Sequence, residues 1–214
     1  MIKRLTEKQL AEGAHTLAER DTDLARLLKT DGVPPLWARE PGFSTLILII
    51  LEQQVSLASA RATYQRLTDQ LVPFTPGRFL EVGPSHLRSL GITRQKAGYC
   101  INVAEAILEE RLNLKALSRM DDAAVLEKLT RIKGIGPWTA NIYLLMVLRR
   151  PDIWPAGDIA LMTAVQEVKK LPARPASETL AEIAEGWRPF RSVAARMLWQ
   201  YYLSVKAPKT ENTF

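Results

Sequence analysis

Asp158 is the residue best placed to do chemistry in this chain. It closes the loop Trp154-Pro155-Ala156-Gly157-Asp158 and leads straight into the apolar run Ile159-Ala160-Leu161-Met162. An aspartate at such a junction caps a helix, and capping alone is the commoner job for it. No Glu or Gln follows three residues on to complete a capping box, since position 161 is Leu. The capping and chemical roles are compatible, because amides at a helix end keep a carboxylate ionised. Beside a deoxyribose, an ionised carboxylate stabilises the positive charge that builds at C1′ as a base departs. It also aligns or deprotonates the attacking water. That is glycoside cleavage with a nitrogen leaving group.

Upstream lies Arg131-Ile132-Lys133-Gly134-Ile135-Gly136-Pro137-Trp138-Thr139-Ala140. An apolar helix end runs into Gly-Ile-Gly, and a new helix starts at once. The first turn of a helix leaves backbone N–H groups unpaired at the partly positive end of its dipole. A phosphate oxygen docks there when no side chain blocks it. Gly134 and Gly136 are expected to give that clearance and to allow φ > 0 in the turn. Ile135 between them would pin the hairpin to the core. Lys133 and Arg131 add positive charge, and the amides around Trp138 and Thr139 lie in the first turn. Contacts of this kind position a duplex without reading its bases. An ordinary helix–turn–helix corner is the plain alternative, in which Gly only ends a helix.

The pattern around these two features is helical throughout. Thr6 is expected to cap a helix ending near Arg20, with a second short helix over residues 21–29. Gly32-Val33-Pro34-Pro35 stops it, and Trp37 follows in a loop. Residues 41–51 are apolar on nearly every side and predict a central buried helix. A strand over 46–51 is the competing reading, but no second strand candidate stands nearby to pair with it. A further helix over 57–71 is expected to be broken by Pro73 and Pro76. Thr93 can cap a helix carrying Ala97, Ile101, Ala104 and Leu108 at three-four spacing. Asp121 or Asp122 starts the helix that enters the hairpin, and Pro137 suits the first turn of the one that leaves it. A last helix over about 188–205 would carry Phe190, Val193, Ala194, Met197, Leu198 and Tyr201 on one stripe. The tail 207–214 is polar and expected to fray.

The totals narrow the partners. A formal charge of +6 across 214 residues, with 47% hydrophobic residues, describes a well-cored chain that favours a polyanion, nucleic acid before membrane. Cys100 is the single cysteine, so neither an internal disulfide nor a cysteine-held iron–sulfur cluster, which takes about four thiolates, is available. It reads as a small buried residue on a helix. The N-terminus lacks the apolar core of a signal peptide. The longest aliphatic run, 46–51, is far short of the roughly 20 residues that cross a bilayer. A soluble, cytoplasmic protein with no membrane partner is expected, nucleoid-associated if the source is bacterial. His15 and His86 belong to no catalytic cluster, and no metal site or cofactor is expected.

Taken together, the hairpin, the Gly/Pro loop and the aspartate resemble the helix–hairpin–helix DNA glycosylase superfamily, and within it the 3-methyladenine DNA glycosylase II group. Three more stretches carry the resemblance. Ile50-Leu51-Glu52-Gln53-Gln54-Val55-Ser56 is similar to the group's Gln-Gln-Ile-Ser segment. Leu90-Gly91-Ile92-Thr93-Arg94-Gln95-Lys96-Ala97 is similar to its Gly-Leu-Ser-x-x-Lys-Ala segment. Trp187-Arg188-Pro189-Phe190-Arg191-Ser192-Val193-Ala194 is similar to its Trp-x-Pro-x-Arg-Ser-x-Ala segment. The resemblance runs from about residue 40 to 205.

It implies an all-α fold of two helical lobes with a DNA-binding cleft between them. Lobe A would hold about 1–40 plus 151–214, and lobe B about 41–150 with the hairpin at 131–140. The target nucleotide would be flipped out of the duplex into the cleft. Asp158 would be the catalytic carboxylate. Lys133, Gly134, Ile135, Gly136, Trp138 and Thr139 would hold the DNA backbone. Gln53 and Gln54 would stand at the wedge that fills the gap left by the flipped base, or else form a plain helix-end hydrogen-bonding pair. Bifunctional relatives place a lysine second after the final hairpin Gly. Here that residue is Trp138, so the resemblance implies base hydrolysis that leaves an abasic site without strand cleavage. The β-rich N-terminal domain of some group members and the cluster loop of the oxidised-base branch are expected to be absent.

The implied substrate is an alkylated purine in double-stranded DNA, acted on by a monomer. Alkylation at N3 or N7 makes the base cationic and weakens its glycosidic bond, and aromatic faces attract such a cation and stack on any flipped base. The available aromatics are Trp37, Phe43, Trp138, Tyr143, Trp154 and Trp187, with Trp37 and Trp138 favoured as pocket walls and Trp154 behind them. No second acid is placed to protonate a neutral base. A non-catalytic DNA-binding module of the same fold, and a glycosylase for hypoxanthine, uracil or an oxidised purine, are the alternatives.

Overall fold

The computed structural model describes residues 4–206. Among these it contains twelve α-helices, one π-helical turn and no strand, an all-α fold. The chain divides into two compact units. One holds residues 4–38 and 148–206, and the other holds Arg39–Val147.

The first unit opens with α1 (Glu7–Arg20) and α2 (Thr22–Asp31). Thr6 and Gln9 form a reciprocal capping box on α1, which buries Leu10, Gly13, Ala14 and Leu17 at helical spacing. Asp21 ends α1 and caps α2, its side chain accepting from the Asp23 and Leu24 amides. The same unit takes in three C-terminal helices: Ile159–Val168, Ser177–Glu185 and Arg191–Lys206.

The second unit is built on α3 (Phe43–Glu52), which buries Phe43, Leu46, Ile47, Ile49, Ile50 and Leu51. So many buried faces require neighbours on several sides. Helices α4 (Leu57–Gln70), α6 (Arg94–Leu108) and α9 (Pro137–Ile142) supply them. Between α4 and α6 lies α5 (Pro76–Ser89), bent where Gly83 takes φ 69°. Residue 76 was expected only as a breaker. The structure places Pro76 in the first turn of α5 behind the Thr75 cap, where a proline needs no N–H. Phe79 of α5 lies 5.0 Å from both Phe43 and Phe74, ring centre to ring centre, so Phe43 belongs to a core cluster.

Two helices depart from the sequence reading, one in its buried face and one in its start. On α6 the buried residues are Ala97, Cys100, Val103, Ala104 and Ala106, whereas Leu108 is 52% exposed and Ile101 half-buried. The face turns toward the small residues because α5 packs closely along it. The last helix begins at Arg191 instead of 188, since Pro189 and Phe190 stand outside it. A short α7 (Leu114–Leu117) and α8 (Asp122–Thr130), capped by Asp121, lead to the hairpin. Past it, α9 widens into a π turn over Tyr143–Val147. The C-terminal helices are α10 (Ile159–Val168), α11 (Ser177–Glu185) and α12 (Arg191–Lys206). The expected fraying of 207–214 lies outside the described residues.

Candidate active site and nucleic-acid interface

The hairpin belongs to the second unit and Asp158 to the first. In the hairpin, Gly134 takes φ +107°, and a Cβ there would stand 2.3 Å from Tyr99 Cγ. Both conformation and space therefore demand glycine. Gly136 differs from the expectation of a second positive φ. Its φ of −84° and ψ of 175° suit any residue. A Cβ at Gly136 would meet no atom within 4 Å. Its bareness leaves room on the exposed side, and it gives α9 no side-chain cap.

The turn is braced from behind. Gln53 Nε2 donates to the Gly134 carbonyl at 2.9 Å and to Thr139 Oγ1 at 2.9 Å. Asn102 Nδ2 donates to the Lys133 carbonyl at 3.0 Å. Ile135 is buried, and its N–H closes the turn onto the Ile132 carbonyl. Of the residues expected to hold a DNA backbone, Ile135 is thus an internal anchor, and the Thr139 side chain is buried against Gln53. Lys133 and Gly136 are exposed and Trp138 is half-buried. Arg131 pairs with Glu127 on the surface, which offsets its charge.

The Gln53-Gln54 pair divides in the same way. Glu52 forms a two-pronged ion pair with Arg39, at 2.8 Å on each prong. Lys96 Nζ donates to the Leu51 carbonyl at 2.6 Å, and burial holds its pKa below the usual lysine value. These contacts fix the end of α3. Gln53 makes its bonds to the hairpin, in line with the helix-end hydrogen-bonding role that was the alternative to a wedge. Gln54 is left exposed with φ +56°, a conformation sparsely used by residues other than glycine.

Asp158 caps α10 as its sequence position predicts. Its Oδ1 accepts from the Leu161 N–H at 2.9 Å and from Trp199 Nε1 at 3.3 Å. The turn before it closes through Ala156 N–H on the Trp154 carbonyl and Asp158 N–H on the Pro155 carbonyl, with Gly157 at φ +79°. At 8% exposure the carboxylate is largely desolvated without being sealed off. Two N–H donors on one oxygen fix the orientation of the carboxylate. α10 carries no acidic residue in its first turn, and the Asp158 cap meets the positive end of its dipole.

Trp199 was not among the sequence candidates. A signal for it did exist: Ser192, Arg196 and Trp199 recur at helical spacing on a helix that is otherwise apolar there, and all three are buried. Arg196 Nε donates to the Leu36 carbonyl at 2.8 Å, which ties the loop before Trp37 (φ +46°) to α12. Burial pushes the Arg196 guanidinium down to about 9, still high enough to stay charged near neutral pH. The proposed pocket aromatics divide between the units. Trp37 and Trp154 share the unit of Asp158, and Trp138 lies in that of the hairpin. Trp154 is buried and packs on Trp187 at 5.3 Å. Trp187 Nε1 is held by Asp21 Oδ2 at 2.8 Å. Tyr143 is wholly buried in the π turn. His15 and His86 are exposed.

Residues 131–158 thus hold a turn that is open at Gly136 and a carboxylate held by the Leu161 amide and the Trp199 indole. Residues 47–189 match the HhH-GPD superfamily of base excision DNA repair proteins, and the chain belongs to that superfamily. Among solved structures, Mag1 of Schizosaccharomyces pombe, a 3-methyladenine DNA glycosylase in complex with abasic DNA, superposes with a TM-score of 0.84. The two are 26% identical, over 94% of this chain and 100% of that one. A DNA-3-methyladenine glycosidase from Bacillus halodurans gives a TM-score of 0.74 at 30% identity, over 89% of this chain and 88% of the other. YfjP of Bacillus subtilis, assigned provisionally by its name to the DNA-3-methyladenine glycosylases, is 28% identical over 187 residues. That alignment takes in 84% of this chain, which spans 65% of the length of YfjP. No helix among the described residues is long and apolar enough to cross a membrane.

Proposed function

We propose that this chain is a monofunctional DNA N-glycosylase that hydrolyses the bond between deoxyribose and an alkylated purine of the 3-methyladenine type. The observation that carries the reading is the setting of Asp158, one oxygen held by the Leu161 amide and the Trp199 indole in a nearly dry site. As the C1′–N bond breaks, the base leaves with the electron pair and positive charge spreads over the sugar. A fixed carboxylate meets that charge without having to reorganise. Water then bonds to C1′ and passes its proton to the Asp158 carboxylate, leaving an abasic site. Trp138 occupies the position at which a lysine would form a Schiff base, so the strand stays intact. A base that is already cationic departs without a protein acid. Trp37 and Trp199, which share the unit of Asp158, are the aromatic faces proposed to receive it. The hairpin would grip the backbone through the open face at Gly136, with Lys133 alongside. Gln54 would enter the space left by the flipped nucleotide. The proposed partner is duplex DNA carrying the damaged base, and the enzyme would work as a monomer.

The test offers the purified protein duplexes containing 3-methyladenine, 7-methylguanine, hypoxanthine or uracil and measures free base. Alkylpurine should be released, and Asp158→Asn should slow the release by about 100- to 1000-fold, the scale of losing a preorganised electrostatic contact. Equal rates in the parent and Asp158→Asn would remove the catalytic assignment. Binding of every duplex with release of none would point instead to a non-catalytic DNA-binding module.

A further inference from the structure

The segment Trp187-Arg188-Pro189-Phe190-Arg191-Ser192-Val193-Ala194 has no part in the reaction just described, yet its contacts converge on the loop that ends at Asp158. The Ser192 N–H donates to the Pro151 carbonyl at 3.1 Å. Arg191 wraps Asp152: Nε meets Oδ1 at 2.9 Å, and Nη2 meets Oδ2 at 3.1 Å and the Asp152 carbonyl at 2.9 Å. Ser192 Oγ accepts from the Ile153 N–H at 2.9 Å and donates to the Ile153 carbonyl at 3.2 Å. One hydroxyl therefore satisfies both backbone groups of a buried residue, as a neighbouring strand would. Arg188 and Glu185 complete the outer side, Arg188 Nη1 reaching Asp152 Oδ2 at 2.8 Å and Arg191 Nη1 reaching Glu185 Oε1 at 3.0 Å.

Two helical turns further along α12, Trp199 holds the other end of the same loop through Asp158 Oδ1. Positions 192 and 199 share a face and stand roughly 10 Å apart along the axis. A single rigid helix thus grips the loop at both ends and sets the distance between them. We propose that Arg191 and Ser192 are positioning residues for the glycosylase reaction, acting through the 151–158 loop to fix where the Asp158 carboxylate stands. The proposal rests on the assignment of Asp158 made above. Neither side chain touches the substrate. Loosening the start of the loop lets its far end drift, and a displacement of about 1 Å at a reacting group costs on the order of a hundredfold in rate.

The experiment compares the parent with Ser192→Ala and Arg191→Lys. Ser192→Ala strips both bonds from Ile153. Arg191→Lys keeps the charge but loses the fork on Asp152. With enzyme in excess over a 7-methylguanine duplex, the single-turnover rate constant should fall roughly ten- to a hundredfold, with its amplitude unchanged. Affinity for a duplex containing an abasic-site analogue should stay within about threefold of the parent. The NMR resonance of the Trp199 indole N–H should shift in both variants, reporting movement of the Asp158 contact. A fall in amplitude at constant rate, or equal losses in rate and binding, would show a merely structural role and overturn the proposal. So would an unmoved indole resonance. Should the parent release no base, the glycosylase reading fails by itself, and the indole resonance still decides whether α12 positions Asp158. Should Ser192→Ala not fold, Arg191→Lys carries the test alone, because the Arg191 side chain is partly exposed.

Discussion

Replacing Gly134 by alanine puts a methyl carbon 2.3 Å from Tyr99 Cγ and 2.4 Å from Tyr99 Cβ, on a backbone held at φ +107°. The backbone conformation alone costs about 1–3 kcal/mol for a residue with a side chain. Overpacking against a ring that is anchored near its own main chain adds about 1–3 kcal/mol. A loss of about 3 kcal/mol is therefore expected. In a chain of this size it lowers the melting temperature by about 6–12 °C. Gly136→Ala should behave in the opposite way. Its φ is ordinary and the new methyl meets nothing within 4 Å, so stability should hold or rise by up to about 1 kcal/mol. The same methyl would occupy the open face that the proposed function assigns to a phosphate. Affinity for an abasic duplex should fall about tenfold, which is about 1.4 kcal/mol. Calorimetry reads the first effect, and fluorescence anisotropy at fixed salt reads the second. Melting of Gly134→Ala with the parent would contradict the tight fit against Tyr99, and parent-like DNA affinity in Gly136→Ala would contradict the open phosphate face.

Other consequences are open to direct measurement. Trp199→Phe keeps most of the ring and removes the N–H on Asp158 Oδ1, so single-turnover base release should slow by about tenfold while DNA binding holds; an unchanged rate would exclude the indole from the site. Burial raises the Asp21 carboxyl, but hydrogen bonds from Trp187, Lys169 and the Leu24 amide outweigh it and hold its pKa below the ordinary 3.8. A depressed carboxylate lends stability above its unfolded value and loses it as pH falls through the folded one. The stability gap between the parent and Asp21→Asn should therefore be full near neutrality and close in acid below 3.8, as read by denaturant titrations across pH. Burial pushes the Cys100 thiol up to about 12, so the native chain should resist iodoacetamide at pH 8 and react once unfolded; rapid native labelling would contradict the packing of α6.

Local chemistry was legible in the sequence. Thr6, Thr93 and Asp121 each cap the helix that follows, and Asp158 caps α10, because a cap needs only its own side chain and amides two or three residues on. The buried character of α3 could also be read, since a helix apolar on every side has nowhere to go but inward. Pro76 misled because a proline that stops one helix and a proline that opens the next look alike until the cap before it is weighed. Spacing put Leu108 in line with Ala97 and Ala104 on α6, but it could not say that this end of the row would be left exposed.

What only the tertiary structure decided lies in bonds between residues far apart in the chain. Gln53 and Gln54 are chemically identical neighbours, and only the approach of Gly134, 81 positions later, commits one to the hairpin and leaves the other to solvent. The Trp199 indole finds Asp158 across 41 positions. Hydrophobic periodicity records which side of a helix turns inward, yet it carries no information about which polar group will be waiting there. That partner is set by how whole helices pack.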